Sequence, residues 1–169
     1  MNNLAASYRA AGQTDKALKL FREALALNQK LLELNTVELG PEHPTTLNNL
    51  NAVTLSMRAY TRTLAIVEYR MGNFKEAITA ANNSLELAMK ELKLPSSPYD
   101  LAILSMSHFK TGEQGKANEY REKLLEAMEL DAYKDNAGHK SFAHEVEELF
   151  SSANNDEDDP SPPSEKESE

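Results

Sequence analysis

Leu4-Ala5-Ala6-Ser7-Tyr8-Arg9-Ala10-Ala11-Gly12-Gln13-Thr14-Asp15-Lys16-Ala17 decides the fold, because its pattern of Leu4, Ala5, Tyr8, Gly12 and Ala17 returns twice. The second copy is Leu64, Ala65, Tyr69, Gly72 and Ala77; the third is Leu104, Ser105, Phe109, Gly112 and Ala117. Each sets a small residue after a leucine, an aromatic on the next turn, glycine at a break, and alanine five residues beyond it. Two antiparallel helices approach closely only where side chains are small, so the small pairs mark where backbones meet and the larger residues fill the groove beside them. Glycine supplies the turn conformation that other residues reach only at a cost. Three helical hairpins are therefore predicted.

Outward from these copies, apolar residues recur at helical rather than alternating spacing. Ala17, Leu18, Phe21, Leu25, Leu32 and Leu39 predict an amphipathic helix over Asp15–Leu39, capped by Thr14 and stopped by Gly40-Pro41. Ala77, Ile78, Ala81, Leu85, Leu87 and Met89 predict another from Phe74 to Leu92, capped by Asn73. Ser97-Pro98 opens a helix toward Thr111. Glu113–Leu130 carries Ala117, Tyr120, Leu124, Leu125 and Met128 on one face, and Ser141 caps a last helix ending near Phe150. Residues 45–71 hold neither Gly nor Pro, and Leu47, Leu50, Met57, Leu64, Val67 and Met71 continue one stripe. A single helix of roughly 40 Å follows at 1.5 Å per residue, with a break near Ser56–Ala59 as the competing reading. The class is all-α.

The chain has 169 residues, 40% of them hydrophobic and 27% charged, which is the range of one globular domain. Cysteine is absent, so thiolate metal sites, disulfides and cysteine nucleophiles are excluded. The net charge of -9 argues against a surface built for nucleic acid. Residues 151–169 hold seven acids and one lysine, so -6 of that charge lies there and -3 in residues 1–150. Segment 153–169 is expected to be a disordered acidic tail, since it has too few apolar residues to offset its ordering entropy. No apolar run is long enough for a membrane span, and no secretory leader is read at the N-terminus. These features predict a cytoplasmic chain with no membrane partner.

Chemistry is sparse. His43 reads as connector packing and His108 as a structural, half-buried histidine. His139 and His144 are five residues apart, which is not the four-residue spacing of a helical two-histidine metal site. No glycine-rich phosphate loop follows a strand, and no serine sits in a nucleophile elbow. Neither catalytic residues, a metal nor a cofactor is expected.

The three copies resemble the tetratricopeptide repeat (TPR), the first most closely, with Phe21 and Ala24 added in its second helix. Leu39-Gly40-Pro41-Glu42-His43-Pro44-Thr45-Thr46-Leu47 and Asn2-Asn3-Leu4-Ala5 resemble kinesin-light-chain-type repeats. Leu64-Ala65-Ile66-Val67-Glu68-Tyr69-Arg70-Met71-Gly72-Asn73-Phe74 and Leu104–Phe109 resemble the arrays C-terminal to bacterial serine/threonine protein kinases. The resemblance implies a TPR-like α-solenoid over residues 1–152, of about three repeats with Lys140–Phe150 as a C-terminal cap. In that cap Phe142, Val146 and Leu149 are expected inward, and Glu145, Glu147 and Glu148 toward water. One departure stands out: no glycine turn or second helix separates the first helix begun at Leu47 from the next at Thr61, so two first helices are expected to be fused.

The resemblance further implies that first helices line a concave peptide groove, with Asn2, Ala6, Arg9, Arg62, Ile66, Tyr69, Arg70, Tyr99, Met106, Phe109 and Lys110 on or near it. Arg9, Arg62, Arg70 and Lys110 would make that face basic and suit an acidic peptide. The function implied is a non-enzymatic protein-protein interaction scaffold. The alternative is a regulatory or substrate-docking fragment of a bacterial serine/threonine protein kinase whose catalytic domain lies outside this chain.

Overall fold

The computed structural model describes residues 2–10 and 12–156. Seven helices run through them: α1 (Asn2–Ala10), α2 (Thr14–Leu39), α3 (Pro44–Arg70), α4 (Phe74–Glu86), α5 (Pro98–Lys110), α6 (Gln114–Met128) and α7 (Ala137–Asp156). A single π-turn, Leu87–Glu91, extends α4. No strand occurs among the described residues. Successive helices pack on each other, and α3, α5 and α7 also make an inner row. That is the layout of a helical-repeat solenoid.

The three expected hairpins share one geometry. Gly12, Gly72 and Gly112 have φ of 73°, 83° and 79°, the left-handed region where a side chain is strained. Each first helix closes with the same pair of backbone bonds, for example Gly12 N–H to Arg9 C=O (3.0 Å) and Gln13 N–H to Tyr8 C=O (2.9 Å). This is the Schellman closure, which satisfies carbonyls that the helix end leaves free. Ala5, Ala17, Ala77 and Ala117 are fully buried and Ala65 nearly so, so these are the points of closest approach. Where the third copy has serine, Ser105 Oγ donates to Ala117 C=O at 2.9 Å and the close approach is kept.

Helix α3 is continuous from Pro44 to Arg70, which decides for one helix over two. Its apolar stripe is only partly its buried face, Leu64 packing on the larger core while both ends of the stripe are exposed. Leu47, Leu50 and Met71 are 48%, 48% and 59% exposed, while Thr46, Ser56 and Thr63 are buried. Short hydroxyl side chains let α2 and α3 approach and still find partners: Asn28 Nδ2 donates to Ser56 Oγ (2.8 Å), Thr46 Oγ1 to Asn35 C=O (3.2 Å), and Thr63 Oγ1 to Ala59 C=O (2.8 Å). Leu39 is likewise exposed, and Leu4 is 53% exposed, whereas Leu104 is enclosed on α5 by its neighbours.

Several expected boundaries shift. Gln13, not Thr14, precedes α2 and makes no side-chain cap bond; neither do Asn73 and Ser97 at α4 and α5. Asn73 instead donates to Glu68 Oε2 at 2.8 Å. His43 caps α3, its Nδ1 accepting from Thr45 N–H at 3.2 Å. Helix α7 starts at Ala137 rather than Ser141, because Asn136 Oδ1 accepts the N–H groups of Gly138 (2.9 Å) and His139 (3.1 Å). It also continues to Asp156, past the expected boundary at 152; the rest of the acidic tail lies outside the described residues.

Two cores result. The larger joins Ala65, Ile66, Ala77, Leu101, Leu104, Leu124 and Val146 with their neighbours; the smaller consists of Ala5, Ala17 and Phe21, flanked by Tyr8, Leu20, Ala59 and Tyr60. Phe142 and Leu149 pack with Val146 on the larger core, as expected of the cap. Glu145 and Glu147 do not simply face water: they accept the forks of Arg70 and Arg121 and tie α7 to α3 and α6.

Candidate functional site: a concave cleft with an arginine ladder

Arg58, Arg62, Ile66 and Arg70 lie four residues apart on α3, so one edge of this helix carries a ladder of side chains. The ladder faces α1, the start of α5 and the start of α7. Between these four elements is a cleft of ≈ 420 Å³ walled by Arg9, Ile66, Arg70, Tyr99 and Phe142, with Gly12 and Thr14 at its rim. The volume is of the size that holds a small ligand or a few peptide side chains.

Tyr99 is the hub. Its ring lies 5.1 Å from Phe142 and 4.5 Å from His139, both edge-on. The guanidiniums of Arg9 and Arg62 stand 5.5 and 5.7 Å from its centroid, close enough for cation–π attraction. Gly138 permits this arrangement, since a Cβ there would come 2.2 Å from the Tyr99 hydroxyl. A Gly138→Ala change is expected to push the Tyr99 ring out of place and cost about 1–3 kcal/mol through overpacking. Ring resonances of Tyr99 followed by NMR, together with a melting curve, check this; an unmoved ring and an unchanged melt would refute it.

The charges on the ladder are not equivalent. Arg62 grips Asp100 with two bonds, Nε to Oδ1 at 3.2 Å and Nη2 to Oδ2 at 3.1 Å. Asp100 is only 1% exposed and lies in the first turn of α5, where the helix dipole also favours an anion. Arg70 forks onto Glu145 (Nη2 to Oε2, 2.6 Å) and also covers the rings of Tyr69 and Phe142. Arg62 and Arg70 are thus matched by internal carboxylates, and the cleft is less basic than a count of its arginines implies.

Arg9 and Arg58 differ. Neither forms an ion pair among the described residues. Burial first, and repulsion from Arg62 second, push both guanidiniums below their ordinary value. His139 is buried beside Tyr99 and Tyr133, and burial lowers its ring below the usual imidazole range. Burial, then the Glu145 carboxylate, raises the Tyr69 phenol.

Of the residues expected at the groove, Arg9, Ile66, Arg70 and Tyr99 meet at the cleft, and Arg62 stands beside it. Met106 does not: it is fully buried in the larger core, because α5 is enclosed on several sides. Phe109 packs on Phe150 of α7 at 4.7 Å, and Lys110 is exposed at the far end of α5. Tyr69 rests against Phe74 beneath Arg70. The side chains of Asn2 and Ala6 lie outside the described residues. His108 is buried, stacked on Tyr120 at 5.5 Å with Nδ1 2.5 Å from Glu113, a structural role. Reading the sequence did not single out Arg58, Asp100, His139 or Phe142 as part of this site. The four-residue step back from Arg62 was the available signal for Arg58; Asp100 had none beyond its place in a first turn.

A family model described as tetratricopeptide repeat matches residues 1–45, which cover α1, α2 and the connector into α3. No curated protein and no solved structure matches the chain. No helix among the described residues is long and apolar enough to cross a membrane. The fold is all-α with a helical-repeat layout, and residues 1–45 are similar to the tetratricopeptide repeat, a kind of repeat that mediates protein–protein interaction.

Proposed function

We propose that the chain is a non-enzymatic interaction module whose cleft between α1, α3, α5 and α7 receives a protein or peptide partner. The observation that carries this reading is the convergence of Arg9, Ile66, Arg70, Tyr99 and Phe142 from four helices on one concave space. Aromatic and arginine side chains in a recess are the residues that most often anchor protein interfaces. Ile66 and Phe142 supply apolar contact, and Tyr99 and Arg9 supply a face that accepts either a ring or an acidic group. The module so proposed comprises α1 to α7, with the acidic segment beyond them outside the binding surface.

A photo-crosslinking residue at Thr14, on the rim, tests the reading against the same residue at exposed Asn118 on α6. A discrete adduct is expected from Thr14 and lost in Phe142→Glu. Equal adducts from both positions would remove the cleft from consideration.

A further inference from the structure

Beside the cleft, three guanidiniums lie near one carboxylate. Arg58 and Arg62 come from successive turns of α3, Arg9 from α1 and Asp100 from α5, and all four lie within electrostatic reach of one another. Arg62 bonds both oxygens of Asp100, so Arg9 and Arg58 feel this carboxylate only at a distance and have no ion pair of their own among the described residues. Three positive charges against one negative leave a surplus of two among half-buried side chains. Moreover, Nε of Arg58 is buried with no hydrogen-bond partner, and so is Nδ1 of His139. A buried donor with no acceptor is a standing cost to the fold. The stacking of Arg9 over Tyr99 holds its guanidinium within the cluster despite the repulsion.

Resting on the reading of the cleft as the partner surface, we propose that Arg9 and Arg58 form a seat for a phosphomonoester carried by that partner. The surplus of two selects this chemistry. A phosphomonoester carries about -1.5 to -2 at neutral pH with three acceptor oxygens, whereas a carboxylate brings one charge and two. Planar guanidinium forks bind phosphate oxygens in pairs, and the unpartnered Nε–H of Arg58 is one prong of such a fork. The Arg62–Asp100 pair holds the seat in place by fixing α3 to α5.

The test uses the full chain with inorganic phosphate, and with acetate at matched ionic strength, following the arginine Nε–Hε NMR signals. Phosphate is expected to move the Arg9 and Arg58 signals while acetate leaves them in place. Arg58→Gln, and separately the charge-preserving Arg58→Lys, should weaken the phosphate response about tenfold, the scale of one charge-assisted hydrogen bond. Arg121→Gln, remote from the cleft, should not. Unmoved signals, an equal response to acetate, or equal weakening by Arg121→Gln would overturn the proposal. A Thr14 adduct captured equally by wild type and Arg58→Gln would overturn the phosphate seat alone and leave the partner cleft standing; loss of the Thr14 adduct in wild type would overturn the cleft itself.

Discussion

Asp100→Ala is expected to destabilise the protein by about 3–5 kcal/mol, the cost of removing one partner from a buried ion pair. The carboxylate is 1% exposed and accepts two bonds from Arg62. Among the described residues it is also the one carboxylate that acts on both Arg9 and Arg58, so its loss leaves three guanidiniums near one another without it. The melting temperature should fall by about 10 °C, on the scaling of 2–4 °C per kcal/mol for a domain of this size. Removing both charges with Arg62→Met and Asp100→Leu should recover the part of that loss that comes from the unpaired Arg62 fork, while Arg9 and Arg58 still lack the carboxylate that acts on them. Thermal melts of the single and double variants check this. A loss below about 1 kcal/mol for Asp100→Ala would mean that water reaches the cluster and solvates the arginines.

Phe21→Ala has a comparable expected magnitude, about 3–5 kcal/mol, but a different reach. Phe21 is 1% exposed and is the one large side chain among the three fully enclosed residues of the smaller core. Its removal takes away most of what holds α1 against α2, while the larger core on α3 to α7 is untouched. Local opening of α1 and the adjoining part of α2 is therefore expected, not global unfolding. Hydrogen exchange should show protection lost in α1 and kept in α5 and α6. Uniform loss across α4 to α6 would show instead that the two cores unfold as one. Because Arg9 belongs to α1, the same change should release it from Tyr99 and abolish the phosphate response.

Much of the architecture was legible because it repeats. The Leu-small-aromatic-Gly-Ala pattern located three turns, and Gly12, Gly72 and Gly112 share one backbone conformation there. The length of α3 was legible from the lack of Gly and Pro between its ends. Its buried face was not, because Thr46, Ser56 and Thr63 are polar by composition and buried only through bonds to carbonyls and to Asn28 that no periodicity reveals. The cleft was half legible. Helical spacing placed Ile66 and Arg70 together with Arg62, but which arginine is matched by a carboxylate depends on contacts 38 and 75 residues away in the chain. For the same reason Met106 was misplaced: its position on a first helix suggested the groove, and enclosure of α5 put it in the core.

The uninterrupted α3 has a kinetic consequence. Starting a helix carries a nucleation factor of about 10⁻³, near 4 kcal/mol at 25 °C, whereas each added residue is close to neutral. The C-terminal half of α3, anchored through Ala65 and Ile66 in the larger core, is a ready-made seed for the N-terminal half against which α2 packs. When the first hairpin opens, that half of α3 regrows by propagation at about nanoseconds per residue and offers α2 a template. The arm bearing Arg9 can thus leave the cleft and return without the protein having to initiate α3 anew.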